Sequence, residues 1–205
     1  MMEFSNAEPG AARRPYFSLR DLSQIAAAGV GAALVDIIVK RSLGMVLPAV
    51  PFSGSLVAAL PRTLLILVVA CRTEKAGAIA LLCLVEGAMN FAMGGVFPLS
   101  FVSPVGAGLA GEATWLLMGT MKRFPLVRLA GTGAVLAVGR LVMASGFAVL
   151  LGLPLVRWFT AAPHMVAAIF LVNLVLGGLA GVLSRVVFNE LQSLGLAANE
   201  KRRPN

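Results

Sequence analysis

Residues 80–91 have the sequence ALLCLVEGAMNF, an apolar segment that contains one carboxylate, Glu86, and one amide, Asn90. The two polar residues are one helical turn apart, so a helix presents both on the same face. A charged side chain at the centre of a bilayer costs about 3 kcal/mol on insertion scales. Glu86 and Asn90 are therefore predicted to face a bundle interior or a solvated cavity.

The composition of the whole chain is that of an integral membrane protein. Of 205 residues, 59% are hydrophobic and 13% are charged, and the mean hydropathy is +0.90. Soluble domains are closer to half apolar and one quarter charged.

Cys71 and Cys83 belong to no metal-binding or disulfide pattern, so neither a metal nor a cofactor is predicted.

Six apolar runs have the length that spans a bilayer, about 20 residues each. They cover 21–39, 53–71, 76–95, 101–121, 127–152 and 162–187. The prediction is an all-α integral membrane protein with six transmembrane helices in one bundle at 21–188, an N-terminal tail at 1–20 and a C-terminal tail at 189–205. Pro48 and Pro51 interrupt the short segment 42–52, which predicts a re-entrant or interfacial loop.

The basic residues between the runs predict the topology. With the N-terminus in the cytoplasm, the outer side has only Lys40, Arg41 and Arg157. The inner side has Arg13, Arg14, Arg20, Arg72, Lys75, Lys122, Arg123, Arg128, Arg185, Lys201, Arg202 and Arg203. This bias favours cytoplasmic N- and C-termini in a multi-pass plasma (inner) membrane protein. The net charge of +8 is then topogenic, and no nucleic acid partner is predicted.

Ionisable residues inside the runs are the candidates for function. Two acids and two arginines lie there, and such groups form either buried ion pairs or a ligand site. Glu112 follows the small-residue segment 106–111, which predicts a gap beside the carboxylate for a small ligand. The predicted substrate-binding residues are Glu86, Asn90, Glu112, Trp115, Arg140, Asn173 and His164.

Small residues recur at helix-packing spacing on the first and last helices. Segment 26–34, AAAGVGAAL, contains the pairs Ala28/Ala32 and Gly29/Ala33. Such faces allow helix backbones to approach closely in lipid. The first-helix patch is predicted to dock a partner protein, with internal packing as the alternative, whereas Gly177/Gly181 favours packing within the bundle.

No enzyme is predicted, because the chain contains neither a GxxxxGK[ST] nor an HExxH sequence. Two other functions remain open beside the binding of a small ligand. One is a stand-alone carrier that couples transport to an ion through Glu86 or Glu112, and the other is a structural membrane protein with buried ion pairs.

The layout of the chain resembles the substrate-binding S components of energy-coupling-factor (ECF) vitamin transporters. The resemblance covers residues 18–190 and includes the six helices, the apolar loop after the first helix and the small-residue patch. Segments 72–90 and 106–119 are similar to those of S components for hydroxymethylpyrimidine, a thiamine precursor, with Glu86 and Glu112 as the matching acids.

The resemblance implies a subunit that binds a vitamin-like small molecule with high affinity from outside. In that family, the helix 1 patch docks onto a coupling transmembrane subunit that carries two ATPase subunits. Ala28 and Ala32 occupy the matching positions here. ATP hydrolysis is then expected from the partner subunits.

Overall fold

A computed structural model describes residues 16–46, 53–95, 99–120, 125–153 and 156–194. These residues form helices and short connections, with no β-strand in the described ranges. The helices are α1 (Leu19–Val46), α2 (Ser53–Thr73), α3 (Ala78–Ala92), α4 (Leu99–Leu117), α5 (Pro125–Leu150), α6 (Val156–Ala161) and α7 (Pro163–Ser193). A 3₁₀ turn, Met118–Thr120, follows α4.

The six long helices coincide with the six apolar runs, which confirms the all-α prediction. The loop predicted at 42–52 begins too early, since α1 remains helical to Val46. Residues 42–46 continue the helix because both prolines lie beyond them, and 47–52 fall outside the described residues. The short α6 was not predicted, because six residues give no recognisable periodicity.

Four helical segments are long and apolar enough to cross a membrane by length and composition: Leu19–Ser42, Gly54–Thr73, Pro125–Leu150 and Pro163–Ser193. Helix α3 is equally apolar but has only 15 residues. These are the features of a multi-pass membrane protein. Six complete spans, and the side on which the termini lie, remain predictions.

The six long helices pack as a closed ring. Helix α1 contacts α2 and α3, α3 contacts α4, α4 contacts α5, α5 contacts α7, and α7 returns to α2. Side chains that point inward from any of these helices therefore share one interior.

Backbone contact between α5 and α7 depends on glycine. A Cβ atom on Gly133 would lie 2.1 Å from the carbonyl oxygen of Gly177, and one on Gly181 would lie 2.1 Å from that of Leu129. No side chain fits at these distances, so the two helices meet backbone to backbone. The sequence-based prediction that Gly177/Gly181 serves internal packing is confirmed.

The turn between α2 and α3 sets the position of α3. Gly77 precedes the helix with φ 87°, a left-handed conformation that glycine adopts without steric cost. Lys75, in the same turn, forms a 2.6 Å ion pair with Asp21 on α1. The start of α3 is thus fixed against the first turn of α1.

Candidate functional site

A cluster of four buried charged side chains occupies the ring interior. Asp36 comes from α1, Arg62 from α2, Glu86 from α3 and Arg140 from α5, and none of the four is more than 7% exposed. Arg140 donates hydrogen bonds from Nη1 to Glu86 and from Nη2 to Oδ2 of Asp36, the latter at 2.6 Å. Arg140 therefore joins the acids of two different helices.

Arg62 lies against the same acids with looser geometry. Its Nη1 is 4.0 Å from Oδ1 of Asp36, and its Nε is 3.9 Å from Oε1 of Glu86. Neither Arg62 Nη1 nor Asp36 Oδ1 has a hydrogen-bond partner among the described residues. The cluster thus holds unused hydrogen-bonding capacity on both a cation and an anion.

Lys40 extends the cluster toward the end of α1. Its Nζ is 2.7 Å from Oδ2 of Asp36, and its side chain is 51% exposed. The buried part contains two carboxylates and two guanidinium groups, so its charges balance, and Lys40 adds a positive charge at the edge. Balanced pairing makes burial of such groups tolerable, although removal from water often costs more than the pairing returns.

Asn90 lies one turn beyond Glu86 on α3 and is 6% exposed. Neither its Nδ2 nor its Oδ1 has a hydrogen-bond partner in the described part of the chain. The hydroxyl of Ser145 on α5 is buried and unpartnered in the same way. Buried polar groups are nearly always satisfied in native proteins, so these side chains are candidates for contact with a ligand or water.

The described residues leave little free volume beside the cluster. A cavity of about 10 Å³ is lined by Arg62, Ile66, Cys83, Glu86, Pro104, Ala107, Leu136 and Arg140. That volume is at the lower limit for one water molecule. Among the described residues, the cavity that these side chains line therefore has room for at most one water molecule.

Glu112 lies at a different level of the bundle from Glu86. Its carboxylate accepts hydrogen bonds from the backbone N–H groups of Gly77 at 2.9 Å, Ile79 at 3.0 Å and Ala80 at 3.4 Å. The helical rise puts about 10 Å between Ile79 and Glu86 along α3. Glu86 therefore contacts Arg140 and lies one turn from Asn90, whereas Glu112 lies at the N-terminal end of α3.

The glycine-rich segment before Glu112 is filled by neighbouring helices. A Cβ atom on Gly108 would lie 2.4 Å from Cβ of Cys83, and one on Gly111 would lie 2.5 Å from Leu136 Cδ2. The gap predicted there for a ligand is occupied by these side chains, so the segment serves close packing of α4 on α3 and α5.

Trp115, Asn173 and His164 make none of the hydrogen bonds or ion pairs described above for the charge cluster. The guanidinium of Arg128 lies 3.6 Å from the centroid of the Trp115 ring, close to the end of α4. Asn173 is buried and donates from Nδ2 to the Ile169 carbonyl oxygen within α7, at 2.9 Å. His164 is exposed at the start of α7. Their assignment to substrate binding remains a prediction.

The small-residue patch of α1 points largely into the bundle. Ala32 and Ala33 are fully buried, and Ala28 packs against the core. A Cβ atom on Gly29 would lie 2.8 Å from Cβ of Val85 on α3. Because Ala32 and Ala33 are covered, a partner protein does not reach their side chains in this conformation. The burial of Ala32 and Ala33 favours the packing alternative, and docking of a partner at the patch of Ala28, Gly29, Ala32 and Ala33 remains a prediction.

Asp36, Arg62 and Lys40 were omitted from the sequence-based set of binding residues. Asp36 and Lys40 lie near the end of the first apolar run, where charges are ordinarily topogenic, and Arg62 follows Pro61. The signal available was the spacing of Asp36 and Lys40, which favours an ion pair on one helix face. The contacts that Asp36 and Arg62 make with Glu86 and Arg140 depend on how the helices are arranged around the ring.

Comparison with known proteins gives one informative match among solved structures. The crystal structure of an S-component of an ECF transporter superposes with a TM-score of 0.67 at 19% sequence identity, over 88% of each chain. The chain has the S-component fold. No family model and no curated protein matches the sequence. At this level of sequence identity, the structural similarity shows the fold of the chain and does not show its function.

Proposed function

We propose that this protein is the membrane-embedded substrate-binding subunit of an ECF-type importer for a vitamin or vitamin precursor. The observation that carries the proposal is the set of unsatisfied hydrogen-bonding atoms on Asp36 and Arg62 of the buried cluster and on Asn90, one turn from Glu86, inside an S-component fold. A chain that needed only internal neutrality would gain from satisfying these atoms.

The chemistry of the cluster favours a polar small molecule that both donates and accepts hydrogen bonds. Carboxylates of Asp36 and Glu86 accept from ring or amino N–H groups, the guanidinium of Arg62 donates, and the Asn90 amide does both. Hydroxymethylpyrimidine and related thiamine precursors have such groups, and they are the proposed substrates. Energy for uptake would come from a coupling transmembrane subunit with two ATPase subunits.

The binding step would open the cluster. Pockets for small molecules have volumes of about 300 Å³ or more, far above the 10 Å³ cavity. Ligand groups would replace the hydrogen bonds that Arg140 makes to Glu86 and Asp36. The buried charges would then keep hydrogen-bond partners when the ligand is bound.

A structural role for the cluster is the second candidate, and the direct contacts of Arg140 with Glu86 and Asp36 favour it. Removing one member of a buried pair typically costs about 3–5 kcal/mol. Both candidates therefore predict that Glu86→Gln lowers the melting temperature of the empty protein, and this variant alone does not separate them.

Asn90 separates the two candidates because it has no described hydrogen-bond partner to lose. Asn90→Leu is expected to leave the melting temperature of the empty protein unchanged or higher, and to weaken binding of hydroxymethylpyrimidine or thiamine about tenfold or more. Binding is measured by calorimetry on protein purified in detergent, with native mass spectrometry to detect a small molecule retained through purification.

Thr132→Val is the matched control, since Thr132 is also buried and its hydroxyl is also unpartnered. Thr132 is eight residues before Arg140, about 12 Å along α5, so this variant should leave binding unchanged. If no vitamin precursor binds the wild-type protein and no small molecule is retained, the importer proposal fails and the structural role of the cluster stands.

A further inference from the structure

A second cavity, of about 310 Å³, lies at the end of the bundle where α2 and α4 end and α5 begins. It is lined by Cys71, Glu74, Trp115, Pro125, Arg128, Leu129 and Arg185. Its volume is at the lower end of the range for small-ligand sites. None of the side chains of the buried charge cluster lines it.

The cavity contains two arginines without a carboxylate partner. Among the described residues, no carboxylate oxygen lies within 4.0 Å of Arg128 or Arg185, since the ion pairs found involve other groups. Glu74 is the one acid in the lining; Glu74 and Arg185 are both exposed, and Arg128 is half-buried. The lining therefore carries a net positive charge.

Arg128 is held in a fixed orientation. Its Nε donates to the carbonyl oxygen of Trp115 at 3.0 Å, and its guanidinium lies 3.6 Å from the centroid of the indole ring. Stacking on an aromatic ring restrains the guanidinium while its Nη atoms keep their donors. An oriented fork of this kind suits the oxygens of a phosphate.

Helix α5 adds to the positive potential, because its first residue, Pro125, lines the cavity. The N-terminus of a helix carries a partial positive charge, although Pro125 itself has no N–H group to donate. Two arginines, one of them fixed by the indole ring, line the same cavity as this helix N-terminus, and this combination favours an anion as the ligand.

We propose that this cavity binds a phosphate group, held by Arg128 and Arg185. Two sources have this chemistry: the headgroup of an anionic phospholipid and a free phosphate or phosphate ester. Basic pockets between helices at the cytoplasmic side of membrane proteins take anionic headgroups. The proposal is independent of the substrate bound at the charge cluster.

The test uses the full-length protein in a neutral detergent, with three probes: dioctanoyl phosphatidylglycerol, dioctanoyl phosphatidylcholine and inorganic phosphate at fixed ionic strength. Phosphatidylglycerol is expected to remain bound in native mass spectrometry and to raise the melting temperature, as a ligand of the folded state does. Phosphatidylcholine, which has no net charge, should do neither. Stabilisation by inorganic phosphate with the same dependence on the variants below assigns the site to a free anion.

The variants should change the affinity in opposite directions. Arg128→Gln and Arg185→Gln are each expected to weaken binding about tenfold, whereas Glu74→Gln should strengthen it because a repelling charge is removed. Arg185→Gln and Glu74→Gln leave the stack of Arg128 on Trp115 intact, so the test does not depend on the fold tolerating Arg128→Gln.

Arg72→Gln is the matched control. Arg72 lies at the same end of the bundle, in the last turn of α2, outside the cavity lining, and its loss changes the net charge by the same amount. It should leave the affinity unchanged. The proposal is overturned if neither phosphatidylglycerol nor inorganic phosphate stabilises the wild type, or if Arg72→Gln and Arg185→Gln weaken binding equally.

Discussion

At the scale of single residues, Glu112 shows how position along a helix decides the role of a carboxylate. It is buried and accepts three backbone N–H groups at the start of α3. Those groups have no partner within the helix, and a negative charge near them is favourable. The contacts predict that Glu112 anchors α3 in the empty protein.

We expect Glu112→Gln to lower the stability of the empty protein by about 1–3 kcal/mol, because the amide offers one acceptor and turns an N–H group toward other N–H groups. Thermal unfolding in detergent measures the change, with Glu190→Gln on the exposed face of α7 as the control. Unchanged melting together with weakened binding of hydroxymethylpyrimidine would instead assign Glu112 to the ligand.

At the scale of secondary-structure elements, the α5–α7 contact depends on positions where a methyl group has no room. Gly181→Ala should destabilise the protein by about 1–3 kcal/mol through overpacking, since its Cβ would lie 2.1 Å from the Leu129 carbonyl oxygen. Gly178→Ala is the control, because the nearest atom to its Cβ would be 3.8 Å away.

Both alanines raise helix propensity by the same amount, about 1 kcal/mol, so the difference in melting temperature between them isolates packing. Gly178→Ala should equal or exceed the wild type. Equal melting temperatures for the two variants would mean that α5 and α7 are farther apart than described here.

Substitutions on the two faces of helix α1 are expected to have different effects. Ala32 is fully buried, so a tryptophan at that position should prevent folding whatever the partner. Ala27 is exposed on the opposite face, and a partner that docks on α1 would contact that face. We expect Ala27→Trp to leave melting and ligand binding unchanged and to prevent co-purification with a coupling subunit.

The control for this variant is Leu109→Trp, which places the same ring on the exposed face of α4. It should retain the partner. Normal co-purification of Ala27→Trp would remove α1 from the docking surface and leave the role of its small residues as packing against α3.

At the scale of the whole molecule, the distribution of basic residues predicts that both termini are cytoplasmic. In a background with Cys71 and Cys83 replaced by alanine, a membrane-impermeant maleimide added to intact cells should label Arg157→Cys and miss Arg20→Cys. Both positions are exposed in the described structure. The reverse labelling would invert the molecule and place the cavity proposed to bind phosphate on the outer side.

The sequence by itself determined the helical architecture and the burial of the charges. Run length and apolarity are local properties, and in lipid only a helix satisfies the backbone within a single segment. The six apolar runs accordingly correspond to six long helices in the described part of the chain. The cost of a charge in lipid likewise required Glu86 and Arg140 to face inward, and both are buried.

Only the tertiary structure decided which groups meet. Arg140 contacts Glu86 across 54 residues of sequence and Asp36 across 104, while Glu112 pairs with backbone groups of another helix. These partners depend on the order of the helices around the ring and on the rotation of each about its axis. Neither quantity is encoded in a single helix, because both arise when six surfaces pack together at once.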